Sequence, residues 1–275
     1  MSKLLFANFM RLKKDKFFWS GIIFMFAAGV FFPAMRYVDM KQTGTINNID
    51  NGFFGCALFI GIIMAVFCSL FIGTEYSDGT IRNKIVIGHK RVSVYLANFI
   101  TSAIVSIAMS IMFFLPYLCI GVPMLGFFEM DMKLVLLFSL AALMLAVAFS
   151  SIFALIAMLC HNKAITAVVC ILLAVALLVS GLILNRMLDA TETVGGYTMG
   201  ANGELVYGES PNPKYLDGTK REIVQTIYDI NPGGQEIQCM TLEAVNIERL
   251  PIYSLIIVIL TTGAGVIFYK KKDLK

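Results

Sequence analysis

Six long stretches of the chain are almost continuously apolar: Phe17–Met35, Phe53–Gly73, Val94–Ile120, Leu134–Cys160, Ala164–Leu184 and Pro251–Tyr269. A bilayer core of about 30 Å is crossed by roughly 20 apolar residues in a helix, so each predicts one span. The strict apolar/polar alternation of a membrane barrel is missing from these runs. Pro116 removes one backbone hydrogen bond near the far end of the third span and predicts a kink there. Upstream of the first span, Leu5, Phe9 and Leu12 recur at helical spacing among Lys3, Arg11, Lys13, Lys14 and Lys16, the pattern of a helix lying in the interface. Trp19 falls at headgroup level, where indoles are enriched. A basic start followed by an apolar run also describes a signal peptide. No small-residue cleavage site follows Phe32-Pro33 and further spans come later, so the first run reads as a retained anchor.

The polar connections differ in length. Arg36–Gly52 reads as a loop, Gly121–Lys133 as a short turn, and His161-Asn162-Lys163 as a tight turn between the fourth and fifth spans. Asn185–Leu250 is long enough to form a small mixed subdomain. Within it Asn202-Gly203 between two β-prone runs predicts a hairpin, and Pro211–Gly218 a loop. Thr219-Lys220-Arg221-Glu222 fits a capping box, and the Ile223, Ile227, Ile230 stripe predicts a helix to about Ile230. Asn231-Pro232-Gly233-Gly234 ends it, with a second short helix starting near Gln235. The expected organisation is a transmembrane domain with five spans over 1–184, an external subdomain over 185–250, and a sixth span with a basic tail over 251–275. The fold class is an all-α polytopic membrane protein.

Composition agrees: 58% of the 275 residues are hydrophobic and 15% charged, with a mean hydropathy of +0.80, too apolar for a soluble domain. Charge then sets orientation. The N-terminus, the 75–91 segment, the 161–163 turn and the C-terminus together hold fourteen Lys and Arg against Asp15, Glu75, Asp78 and Asp273, whereas the opposite loops hold eight basic and fourteen acidic residues. By the positive-inside rule both termini and the 75–91 segment are cytoplasmic. The six cysteines form no disulfide framework, because Cys56, Cys68, Cys119 and Cys170 lie in apolar runs, Cys160 sits in a short loop, and Cys239 is alone in the external segment. With His89 and His161 the only histidines, no metal cluster is expected.

One polar island stands out: Glu75-Tyr76-Ser77-Asp78-Gly79-Thr80-Ile81-Arg82-Asn83-Lys84-Ile85-Val86-Ile87-Gly88-His89-Lys90-Arg91. Ser77 or Asp78 can cap a helix start and Gly88 can close its end in the left-handed conformation. Asp78 precedes Arg82 by four residues, and Ile81 and Ile85 share a face, so 77–88 predicts a short amphipathic helix.

This island, with its acid at the end of a span followed by Tyr-Ser-Asp-Gly-Thr-Ile-Arg-Asn-Lys and Gly-His-Lys-Arg, resembles the permease subunits of type-2 ATP-binding-cassette (ABC-2) exporters. The resemblance implies that the island is the coupling helix, seated in a cleft of a separate ATPase subunit and passing its motion to the spans. The coupling residues would be Glu75, Ser77, Asp78, Gly79, Thr80, Arg82, Lys84, Gly88 and His89. Asn231-Pro232-Gly233-Gly234-Gln235 is similar to a Pro-Gly-Gln turn before the last span of such permeases, which makes Asn231, Pro232, Gly233 and Gln235 candidates for an external gate; a plain breaker between two helices reads equally well. The implied assembly has two ABC ATPase subunits, a second permease chain, identical or merely similar, and the bilayer of a bacterial plasma membrane. ATP and magnesium would bind the ATPase partner and no cofactor this chain.

Other classes fit less well. No Gly-x-x-x-x-Gly-Lys-Ser/Thr phosphate loop occurs, so a motor must be another polypeptide. The six spans as drawn contain no Asp, Glu, Lys, Arg or His, whereas ion-coupled carriers keep such groups at depth. Ser102, Ser106, Ser110, Ser150 and Ser151 have no base in the spans to activate them and suit close helix packing. The basic residues flank spans and face anionic headgroups, so no nucleic acid is implied. The alternative reading is a non-transporting scaffold or sensor whose cytoplasmic loop recruits a partner. The exporter reading implies an amphipathic or lipophilic substrate, with peptides, drugs, glycans and ions all open.

Overall fold

The computed structural model describes residues 1–160, 162–199 and 205–272. His161, the Asn202-Gly203 turn and the last three residues lie outside them. The order is α1 (Ser2–Leu12), α2 (Lys16–Thr43), a single irregular turn α3 (Asp50–Phe53), α4 (Cys56–Ser77), α5 (Thr80–Val86), α6 (Arg91–Leu125), α7 (Met132–Leu159) and α8 (Lys163–Leu188). There follow an antiparallel pair β1 (Thr193–Met199) and β2 (Leu205–Pro211), then α9 (Gly218–Ile230), α10 (Pro232–Thr241) and α11 (Leu250–Lys271). Among the described residues six helical segments, α2, α3 with α4, α6, α7, α8 and α11, are long and apolar enough to cross a bilayer. The chain is a multi-pass, all-α membrane protein carrying one small hairpin.

Several helices outrun their apolar cores. α2 continues from Met35 to Thr43 through Arg36, Asp39 and Lys41 before Gly44 stops it at φ +70°, so the first half of the expected 36–52 loop is helical; long charged side chains can leave the bilayer from the end of a helix. α6 holds 35 residues, with Pro116 and Pro123 both inside it, and is therefore about 52 Å long. The box at Thr219 is not used: α9 starts one residue earlier, behind Asp217, with no side-chain cap. The Ile223, Ile227 and Ile230 stripe of α9 is about half exposed, as befits a helix on an interface.

α4 and α7 form the centre of the bundle and α8 and α11 its periphery; 61% of the apolar window of each central span is covered by protein, against 17% for each outer one. Small residues let α7 approach its neighbours. Ser150 of α7 donates to the Ser102 carbonyl of α6 (3.3 Å), and Thr261 of α11 donates to Ser151 (2.8 Å). At the α3 end, Phe53 packs on Phe54 and Phe114 with ring centroids 4.9 Å away in each case.

The segment between α8 and α11 divides in two. The hairpin and α9 stay outside the bundle, but Pro232–Cys239 of α10 are all buried, against α8, α7 and α4. Gly233 makes this possible: a β-carbon there would lie 1.9 Å from the Leu177 carbonyl oxygen. Leu177 is eleven residues short of Leu188, the end of α8, so α10 is inserted by about 16 Å along that span.

Candidate functional site

α5 lies between α4 and α6 at the end of the bundle that also holds α1 and the end of α11. Two left-handed glycines bound it. Gly79 (φ +66°) turns the chain out of α4, and Gly88 (φ +100°) closes α5. Gly88 N–H donates to the Ile85 carbonyl and His89 N–H to the Lys84 carbonyl, the paired bonds of a glycine-terminated helix. Ser77 and Asp78 do not cap α5. The Ser77 hydroxyl donates back to Gly73, and the N-cap position belongs to Gly79, without a side-chain bond. Asp78 and Arg82 form no ion pair, because the left-handed Gly79 between them breaks the helical spacing that an i,i+4 pair requires. The Thr80 hydroxyl donates to the Glu75 carbonyl (3.0 Å) and ties the first turn of α5 to the last turn of α4.

Glu75 is the hub. Its side chain is 1% exposed and ion-paired with both Arg11 of α1 and Lys84 of α5, while the Asn98 amide of α6 donates to its second oxygen (2.9 Å). Asn8 of α1 extends the network, donating to Asn98 Oδ1 (2.8 Å) and Thr101 Oγ1 (3.3 Å) and accepting from Lys84 Nζ (3.1 Å). Arg11 also donates to the Phe71 carbonyl (3.1 Å), with its guanidinium carbon 3.7 Å from the centroid of the Phe71 ring. One carboxylate therefore joins four helices. Its oxygens are fully occupied by cations and an amide, an arrangement suited to a mechanical joint rather than to proton transfer.

The outward face of α5 is different. Ile81 is buried, but Arg82 is exposed, and Val86 and Ile87 are 77% and 78% exposed at its tip, with His89 half-buried just beyond. Nearby, Lys272 donates to the Met158 carbonyl (2.9 Å) and the Tyr76 hydroxyl (3.2 Å), and Arg91 reaches the carbonyls of Lys270 and Lys272. The residue after α11 is thus fastened to the ends of α4 and α7. Burial pushes the Lys272 ammonium down to about 8.

The family model described as ABC-2 family transporter protein matches residues 4–184, which take in α1, the first five spans and α5. The chain belongs to the ABC-2 transporter family. No match was found among curated proteins. As a family member it is the membrane component of a transport system.

In this ABC-2 chain the four gate candidates lie together at the start of α10. Asn231 accepts from Gly233 N–H (3.0 Å) and donates to Ser180 of α8 (2.7 Å). Pro232 occupies the first turn. Gln235 donates to the Asp229 carbonyl (2.8 Å) and accepts from Ser254 of α11 (2.6 Å). The turn both ends α9 and pins α10 to two spans. Beside it an apolar cleft of about 720 Å³ is lined by Leu177, Ile183, Ile227, Pro232 and Ile257 among others.

Sequence reasoning did not find Arg11 or Asn98 as partners of Glu75, nor Asn8 and Thr101 as the next members of the network. The buried face of α1 is Leu4, Asn8 and Leu12, rather than the Leu5, Phe9, Leu12 stripe. The signal present in the chain was Asn98, an amide inside an apolar span, which needs a polar partner.

Proposed function

We propose that this chain is the permease subunit of an ATP-driven exporter, paired with a second permease chain and driven by two separate ATPase subunits. The excess of basic residues around α1, α5 and the end of α11 supports a cytoplasmic position for that end of the bundle and for both termini. In this reading the exposed Val86-Ile87 tip and Arg82 enter a cleft of the ATPase subunit, and the opposite end with α9 and α10 faces outward from a bacterial plasma membrane. ATP and magnesium belong to the motor. The apolar cleft beside α10 suits a lipophilic or amphipathic substrate.

The observation that carries this reading is the joint at Glu75. A push on the α5 tip cannot be absorbed locally, because Lys84 and Thr80 fasten α5 to Glu75, and Glu75 is held in turn by Arg11 and Asn98. The displacement passes to α1, α4 and α6 together, and these helices move the bundle.

The test is to purify the tagged chain gently from its native membrane, identify the soluble chains that accompany it and assay ATP hydrolysis. A stoichiometric P-loop subunit with ATPase activity is the expected result. A chain that purifies alone, or with a partner that is not an ATPase, refutes the proposal and favours a scaffold.

A further inference from the structure

Glu236 is a second buried carboxylate, on α10, 2% exposed, and neither a hydrogen bond nor an ion pair reaches it among the described residues. It points at α4: a β-carbon added to Gly61 would stand 2.5 Å from its Oε1 and 3.1 Å from the Phe149 ring of α7. Two residues on, Gln238 is 1% exposed and neither its Nε2 nor its Oε1 has a partner. α10 thus carries two buried side chains that would gain partners in water.

The titratable groups brought to this end of the bundle do not supply a counter-charge. Asp50 of α3 is engaged by the Glu129 and Met130 amides, and Asp229 of α9 by Gln225 and Asn246. Tyr228 of α9 is bonded to Asn185. Cys56 of α4, Arg186 and Asp189 at the end of α8, Lys133 at the start of α7, Tyr253 of α11 and Cys239 of α10 itself make no bond to Glu236. An ionised carboxylate without a partner is strongly disfavoured in such a site, and the neutral acid far less so.

We propose that Glu236 is a proton-binding site that latches α10 into the bundle: the closed chain holds the neutral acid, and withdrawal of α10 toward water releases the proton. In that step the carboxyl O–H bond breaks, the proton passes to water and the electron pair stays on the carboxylate. The latch requires neither ATPase nor substrate, so it stands or falls separately from the exporter reading.

The direction with pH follows. Burial pushes the closed-state Glu236 carboxyl up to about 9, from an ordinary value of 4.5. The closed state is fully favoured below the lower value, loses ground as pH rises between the two, and loses no more above the upper one. Within that window the open fraction rises about tenfold per pH unit.

Cys239, fully buried and three residues along the same helix, reports the opening. With Cys119 and Cys160 replaced by alanine, maleimide labelling of Cys239 is followed from pH 6 to pH 8 in the chain and in its Glu236→Gln variant, and the ratio of the two rates removes the intrinsic pH dependence of the thiol. The proposal predicts that this ratio rises about tenfold per pH unit; a ratio independent of pH overturns it. Infrared spectroscopy of the unaltered chain gives a second reading that does not depend on a variant folding. A protonated-carboxyl band present at pH 7 and lost above about pH 9 supports the latch, and no such band at pH 7 overturns it.

Discussion

Glu75 and Glu236 are equally buried and oppositely treated. The first gathers two cations and an amide at the α5 end; the second, at the α10 end, gathers none among the described residues. A buried charge with every oxygen occupied fixes the helices that supply its partners, because separating them strands charges in an apolar setting. A buried acid without a partner fixes its helix only while it is neutral. On the exporter and latch proposals, one end of this membrane domain transmits displacement and the other yields to it.

The largest effect comes from breaking the occupied end. Glu75→Gln leaves Arg11 and Lys84 without their anion and should cost about 3–5 kcal/mol, read as a fall in the thermal unfolding midpoint of the detergent-solubilised chain. Glu236→Gln, which mimics the neutral acid, should raise the midpoint at pH 7 rather than lower it, because the variant has no proton to release to water when α10 leaves the bundle. Equal losses in the two variants would erase the contrast.

A methyl group added by Gly233→Ala collides with the Leu177 carbonyl and should cost about 1–3 kcal/mol, loosening α10 so that Cys239 labels faster while the α5 end is untouched. Asn98→Ala removes one donor from Glu75 and an acceptor from Asn8. Because both cations remain, the expected loss is smaller, about 1–2 kcal/mol. Arg82→Glu has the smallest effect on stability, within about 0.5 kcal/mol, since Arg82 is exposed and makes no ion pair among the described residues. In the exporter reading it nonetheless uncouples ATP hydrolysis from transport, which a reconstituted assay would detect.

The two ends also differed in how legible they were. The six spans can be read directly, because continuous apolar runs in a bilayer have one satisfied backbone form, the helix. Their ends are less legible: nothing in Arg36-Tyr37-Val38-Asp39 forbids another two turns of helix, and only Gly44 stops α2. The existence of α5 follows from Gly79 and Gly88, although the capping expected of Ser77 or Asp78 is absent. The Glu75 network joins residues about 90 positions apart along the chain, which no local pattern encodes. α10 is the hardest case. Pro232-Gly233-Gly234-Gln235-Glu236 has the composition of an exposed turn, and its burial depends on backbone-to-backbone approach at Gly233, a tertiary property. A reading that searched the spans alone for titratable groups therefore missed Glu236, which enters the bundle on a helix that does not cross it.

The most direct test of the central claim, that α5 receives a motor and Glu75 passes its motion on, is to measure how much ATPase subunit co-purifies with the chain when Val86 and Ile87 are both replaced by Asp. Their side chains are more than three-quarters exposed, so the fold should be unaffected and the unfolding midpoint unchanged. The account predicts that the subunit is lost from this variant while the unaltered chain retains it. Retention at full stoichiometry, with unchanged ATP turnover, would contradict it.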